Sequence, residues 1–129
     1  MTNNEQGCLA EILFVAECLK LGIVPCKPVL DNNGYDFVVP KGDSFVKIQV
    51  KSTNKVRSGH SHYKISTHRG TTSNNYNEGH TDYFAAYIFP LSRFYIIPID
   101  KVTTTAIYIS GNPAKDKWKD YINAWHLLK

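Results

Sequence analysis

No apolar run in the chain approaches the roughly 18 residues that a membrane-spanning helix needs. The opening, MTNNEQG, has neither the basic nor the apolar region of a secretory signal. An intracellular protein, cytoplasmic or organellar and with no membrane partner, is therefore expected. Cysteine is scarce. Cys8, Cys18 and Cys26 are odd in number and nowhere spaced CxxC, which argues against a disulfide framework and against a cysteine zinc site. Cys8 and Cys18 are expected to serve as small buried apolar groups. His60, His62, His68 and His80 also lack a fixed ligand spacing, so loop histidines are expected rather than a metal finger. There is no internal repeat and no boundary in composition. The 129 residues suit one domain with a modest core, and 43% hydrophobic against 20% charged residues speaks against wholesale disorder.

Acid is missing where it matters most. The net charge is only +4, yet from Ser44 to Asn77 there is no Asp or Glu. That span carries Lys47, Lys51, Lys55, Arg57, Lys64 and Arg69 together with three of the histidines. A stretch of one sign and this length suits a phosphate-bearing partner. The plainer alternative is a solvated polar loop.

The remaining pattern is one of alternating elements. EQGCLAEILFVAECLKLG reads as an amphipathic helix with Leu9, Ile12, Leu13, Ala16 and Leu19 as its stripe and Gly22 as its stop. IVPCKPVL is expected as an edge or irregular strand because of its two prolines. YDFVV and FVKIQVK are strands, and KGDS between them is a hairpin turn centred on Gly42-Asp43. Residues 52–80 are rich in Ser, Thr, Asn, Gly and His, and only HYKIST within them suits a strand. TDYFAAYIF, a turn at PLSR, and FYIIPID form a second hairpin, with Tyr87, Phe89, Phe94 and Tyr95 mostly in the core. TTAIYIS adds a strand or short edge. NPAKDKWKDYINAWHLLK is expected to be a helix capped by Asn112, with Trp118, Ile122, Trp125 and Leu128 as its apolar stripe.

The Gly42-Asp43 turn sets a register in which paired residue numbers sum to 85, so Asp36 lies across from Gln49. Alternation then puts Gln49 and Lys51 on one face and Val46, Ile48 and Val50 on the other. A carboxylate, an amide and an ammonium meet in one patch. A bulge at Pro40 would move that register by one residue. The plain reading of the same patch is an exposed hairpin on which Asp36 pairs with Lys47 or Lys51.

This ordered set resembles the PD-(D/E)XK nuclease superfamily: a helix Glu (Glu11 in GCLAE), an Asp at a strand end (Asp36 in GYDFVV), and a (D/E)-x-K strand, here Gln49 and Lys51 in IQVKS. It is most similar to the group I intron-associated homing endonucleases, whose core also carries glutamine in Q-V-K. The likeness extends through TDYFAAYIF and FYIIPIDKV, over roughly residues 5 to 103. Tyr35 stands where the motif's proline would be. The resemblance implies an α/β, restriction-endonuclease-like fold: a central mixed sheet flanked by N- and C-terminal helices, as one nuclease domain over residues 1–129 with a basic loop insertion at about 52–80.

The activity the resemblance implies is hydrolysis of phosphodiester bonds in double-stranded DNA with Mg²⁺, for which Mn²⁺ can substitute, leaving 5′-phosphate ends. Asp36 would be the charged metal ligand, with the Gln49 side chain and the Val50 carbonyl as neutral oxygen donors and Glu11 binding directly or through water. Glu17 competes for the helix acid's role, and the GCLAE context favours Glu11. Lys51 would orient the attacking water and steady the transition state. Glutamine in place of an acid removes one charge, so weaker metal binding is expected. Lys47, Lys55, Arg57, Lys64 and Arg69 are the candidate DNA contacts. Asp82 and Tyr83 are expected to support the site rather than act in it. Cutting both strands of a long target calls for a homodimer or homotetramer. Alternatives are a structure-selective nuclease such as a Holliday junction resolvase, a catalytically weak DNA-binding module of the same fold, and a small protein-interaction domain, against which the acid-free stretch argues.

Overall fold

The computed structural model describes residues 1–30, 34–55, 61–67 and 80–129. The elements in chain order are α1 (Asn3–Lys20), β1 (Phe37–Lys41), β2 (Ser44–Thr53), β3 (His62–Ser66), β4 (Tyr83–Ile88), β5 (Arg93–Pro98) and β6 (Ala106–Ser110), followed by short 3₁₀ turns. A four-stranded mixed sheet runs β1-β2-β4-β5, and β3 pairs with β6 in a separate two-stranded ribbon. No described helix is long and apolar enough to cross a membrane.

Helix α1 starts where a capping box starts it. The Thr2 hydroxyl accepts from the Glu5 N–H at 3.1 Å, and the Glu5 carboxylate accepts from the Thr2 N–H at 2.6 Å. Gly22, at φ +76°, turns the chain away as expected. The buried face differs from the expected stripe: Ala10, Phe14 and Cys18 face the core, with Leu13 packed beside them, while Leu9, Ile12, Ala16 and Leu19 face outward. The helix is apolar on more than one side, so periodicity alone could not choose between them. Phe14 decides the matter, because its ring packs against Phe37, Phe94 and Trp125 with centroids 5.2–6.2 Å apart. Cys18 is buried as expected, whereas Cys8 is exposed. Burial pushes the Cys18 thiol up to about 12, with a smaller push from Glu17.

The β1–β2 hairpin has the expected register. Phe37 pairs with Ile48 and Lys41 with Ser44, each pair summing to 85, and no bulge at Pro40 disturbs it. Gly42 takes φ +60° at the first turn position, as a type II′ hairpin turn requires. The segment IVPCKPVL forms no strand. It meets the sheet only through one bridge, Cys26 to Val38, because Pro25 and Pro28 withhold the N–H groups that a longer pairing needs. Strand β4 lies parallel to β2, and β5 returns antiparallel to β4.

Each face of the sheet has its own core. On one side Phe37, Val39, Ile48, Val50, Ala85, Phe94 and Ile96 pack against α1. On the other, Phe84, Ala86, Ile88, Tyr95 and Ile97 pack under the ribbon's Ile65, Ile107 and Ile109. The C-terminal segment corrects the expectation of a helix. It is a chain of 3₁₀ turns at Pro113–Lys115, Lys119–Tyr121 and Trp125–Leu128. Trp118 belongs to the ribbon-side core and Trp125 to the helix-side core, so the segment wraps the β5 edge. One straight helix cannot reach both faces. Asp116 organises the bend: its carboxylate accepts from the Tyr95 hydroxyl at 2.6 Å and from the Trp118 N–H at 3.1 Å. Asn123, at φ +48°, then donates its N–H to the Phe94 carbonyl, and Ile122 bridges to Tyr95. That pairing also covers an otherwise open strand edge.

Candidate active site

Asp36 sits just before β1, where the chain enters the sheet. Its N–H donates to the Ile48 carbonyl, and its Oδ2 accepts from the Val50 N–H, both at 2.8 Å. The carboxylate is thereby pinned to the backbone of β2 between Gln49 and Lys51. The loop leading to it is held by a close approach. A Cβ on Gly34 would lie 2.8 Å from the His80 Cβ, so only glycine lets these segments touch. Tyr35 takes the Lys47 ammonium over its ring, 5.8 Å from the centroid.

Strand alternation places Lys47, Gln49 and Lys51 on the face opposite Ile48 and Val50. Gln49 aligns with Phe84 and Lys51 with Ala86 on β4, both members of the ribbon-side core. Gln49 and Lys51 thus project from the face that the ribbon covers further along. Burial lowers the affinity of Lys51 for its proton, and the nearby Asp36 charge opposes that shift. The two side chains interact electrostatically, as a shared site requires.

The surroundings brace this patch. Asp82 Oδ2 accepts from the Lys47 N–H at 2.7 Å, the Asp82 N–H donates to the Lys47 carbonyl at 2.8 Å, and the Asp82 carbonyl accepts from the Ile99 N–H at 2.9 Å. Asp82 therefore fastens the start of β4 to β2 and β5, the supporting role expected of it. The Thr81 hydroxyl lies 3.1 Å from the Lys47 carbonyl. Gln6 of α1 donates to the Ser52 hydroxyl at 3.2 Å, tying the helix to the strand next to Lys51. Sequence reading missed Gln6 and Thr81, because neither belongs to a motif and both act across large separations.

The helix acids occupy different settings. Glu11 pairs with Lys27 at 2.8 Å, and Glu17 pairs with Lys20 at 3.1 Å. Glu11 lines a groove with Cys8, Ile12, Val15, Lys27 and Phe37, the residue after Asp36. Glu17 lies in another groove, beside Tyr87, Arg93 and Trp125. Among the described residues no group of three or more His, Cys, Asp or Glu side chains could hold a metal ion. The available donors are hard oxygens: the Asp36 carboxylate, the Gln49 amide and the Val50 carbonyl. That set suits an oxygen-seeking ion that keeps most of its waters.

Of the expected DNA contacts, Lys55 and Lys64 are exposed, while Lys47 is half-buried over Tyr35. Arg57 and Arg69 lie outside the described residues, as do His60 and His68.

Comparisons with known proteins agree with this fold. A family model described as PD-(D/E)XK endonuclease matches residues 1–128. A solved structure of a bacterial homing endonuclease, I-Ssp6803I, superposes with a TM-score of 0.81 at 26% identity, covering 98% of this chain and 93% of that one. No curated protein matches.

Proposed function

The chain belongs to the PD-(D/E)XK endonuclease family, and on that premise we propose a metal-dependent, site-specific endonuclease of the homing type. It cleaves double-stranded DNA, with Mg²⁺ as the resident ion and Mn²⁺ able to replace it. The whole chain acts as one nuclease domain. The observation that carries this reading is the juxtaposition of Asp36 with Lys51, both held on β2, the first through the Val50 N–H. An exposed surface pair would need neither a backbone anchor nor burial of the amine.

When bound, a divalent ion supplies a Lewis acid at the scissile phosphate and lowers the pKa of an attacking water. Asp36, the Gln49 oxygen and the Val50 carbonyl are the residues that would hold it, with Glu11 the helix acid. The protein's own part is positional. Lys51 directs its amine toward the attacking water and the phosphate oxygens, and its partial burial keeps competing water away from that amine. Gln6 and Asp82 keep β2 from shifting under this load. Gln49 brings no charge, so the site relies on Asp36, Glu11 and the substrate phosphate to retain the ion.

A double-strand break needs two such sites, which a homodimer or homotetramer supplies. The outward face of α1 supports self-association: Leu9, Ile12 and Leu19 are 37%, 59% and 59% exposed, and Leu21 and Val24 just beyond the helix are exposed too.

The test is incubation with supercoiled plasmid, linear DNA and a four-way junction, in Mg²⁺ or in EDTA, with Asp36→Ala and Lys51→Ala alongside. Metal-dependent cleavage of duplex DNA that both variants lose is expected. Cleavage of the junction alone would replace the homing reading with a resolvase. No cleavage of any substrate would leave a DNA-binding module.

A further inference from the structure

The ribbon has two unlike faces. Its register pairs Tyr63 with Ile109 and Ile65 with Ile107, and these face the core. The alternate pairs, His62 with Ser110, Lys64 with Tyr108 and Ser66 with Ala106, face away from it. Ser110 is buried and its hydroxyl accepts from the Asn112 N–H, so it is already used. Lys64 is exposed on this outward side, with His62, Ser66 and Tyr108 half-buried beside it. Neither strand contains an acid. Lys117, also exposed, lines a groove along β6 together with Thr104, Thr105 and Tyr108. The carboxylate nearest to Lys117 in sequence, Asp116, is buried and bonded to Tyr95 and Trp118.

We propose that this ribbon enters the DNA major groove and reads base edges, with Lys64 and Tyr108 as the central reading pair. The inference rests on the DNA-cleaving function proposed above and assigns that site its recognition element. Three observations converge. A two-stranded antiparallel ribbon is one of the two elements that the major groove, about 12 Å wide, admits. The outward face carries hydrogen-bonding groups and positive charge, which complement base edges lying between two phosphate rows. The ribbon packs on the same sheet face that presents Gln49 and Lys51, so reading and cutting occur on one side of the molecule. Lys64 can donate to guanine O6 or N7, and the Tyr108 hydroxyl can both donate and accept. Lys117, beside β6, would contact phosphates and set the ribbon's register on the duplex.

The experiment uses the full chain and a pool of duplexes with a randomised central segment, bound in EDTA so that nothing is cut. Bound duplexes are sequenced, and the enriched duplex is probed by dimethyl sulfate interference. Enrichment of one motif is expected, with interference at guanine N7 in the major groove. Lys64→Ala should weaken binding to the enriched duplex roughly 5- to 150-fold and relax preference at one base pair per ribbon, with little change toward unselected DNA. Tyr108→Phe, which keeps the packing and removes only the hydroxyl, should alter preference at a neighbouring position. A uniform loss for all sequences would make Lys64 a phosphate contact and overturn the proposal. So would interference confined to adenine N3 in the minor groove, or no enrichment at all. A plasmid assay in Mg²⁺ separates the two readings. A duplex read but not cut removes the nuclease and spares the ribbon. Cutting without sequence preference does the reverse.

Discussion

Replacing Asp36 in two different ways separates its chemical role from its structural one. The carboxylate accepts the Val50 N–H at 2.8 Å. Asp36→Asn keeps an oxygen that can accept that bond but removes the charge. Asp36→Ala removes both and strands the Val50 N–H at a site where burial is substantial. An unpaired donor of this kind costs about 1–3 kcal/mol. For a chain of 129 residues, the entropy of unfolding is about 0.27 kcal/mol/K at the midpoint, so Asp36→Ala should lower Tm by about 4–11 °C. Asp36→Asn should lower it by much less. Both should lose plasmid cleavage in Mg²⁺ by two orders of magnitude or more, since each removes the charged oxygen that Asp36 would offer the metal. Plasmid relaxation and thermal melting of the three proteins check this together. Full activity in Asp36→Asn would remove Asp36 from the ligand set. An unchanged Tm in Asp36→Ala would refute the anchoring of the carboxylate on β2.

Lys51→Met should abolish cleavage. The folded-state Lys51 pKa is depressed, so between that value and the ordinary lysine pKa of about 10.4 the folded protein binds fewer protons than the unfolded chain. Wild-type stability should therefore gain on Lys51→Met as pH rises through that window, and urea melts from pH 7 to 10 would show a fixed difference if the reasoning is wrong. Gln49→Glu restores a charge to the ligand set, so the Mg²⁺ concentration giving half-maximal cleavage should fall several-fold, read by metal titration. Ile12→Glu and Leu19→Glu together should convert an oligomer to monomer by light scattering and leave Tm nearly unchanged, because neither side chain is buried in the single chain.

The hairpin, and the gathering of Asp36, Gln49 and Lys51 upon it, were legible in the sequence for a physical reason. A two-residue turn with glycine first has few solutions, and once Gly42 is placed, every pair down to Phe37 and Ile48 follows. The second hairpin and the short β3 and β6 strands were equally readable from alternation. The C-terminal helix was not, because the spacing of Trp118, Ile122, Trp125 and Leu128 looks helical whether or not the residues share a face. Only the position of Tyr95, bonded to Asp116 from the neighbouring strand, reveals the bend. Helix α1 misled similarly, since Leu9, Ile12 and Leu19 look like a core stripe until Phe14 is seen to hold it. The pinning of Asp36 to Val50, the Gln6–Ser52 tie and the fit of Gly34 against His80 all join residues distant in the chain, which no local pattern encodes.

The wrapped C-terminal segment makes the protein its own optical gauge. The chain has two tryptophans, and they sit in different cores, Trp118 on the ribbon side and Trp125 on the helix side. Each of two single-tryptophan variants, Trp118→Phe and Trp125→Phe, would report the packing of one layer alone. If the two signals are lost at the same denaturant concentration, the layers melt as one unit. If the ribbon-side signal is lost first, DNA binding should bring the two back together by stabilising the layer that it touches.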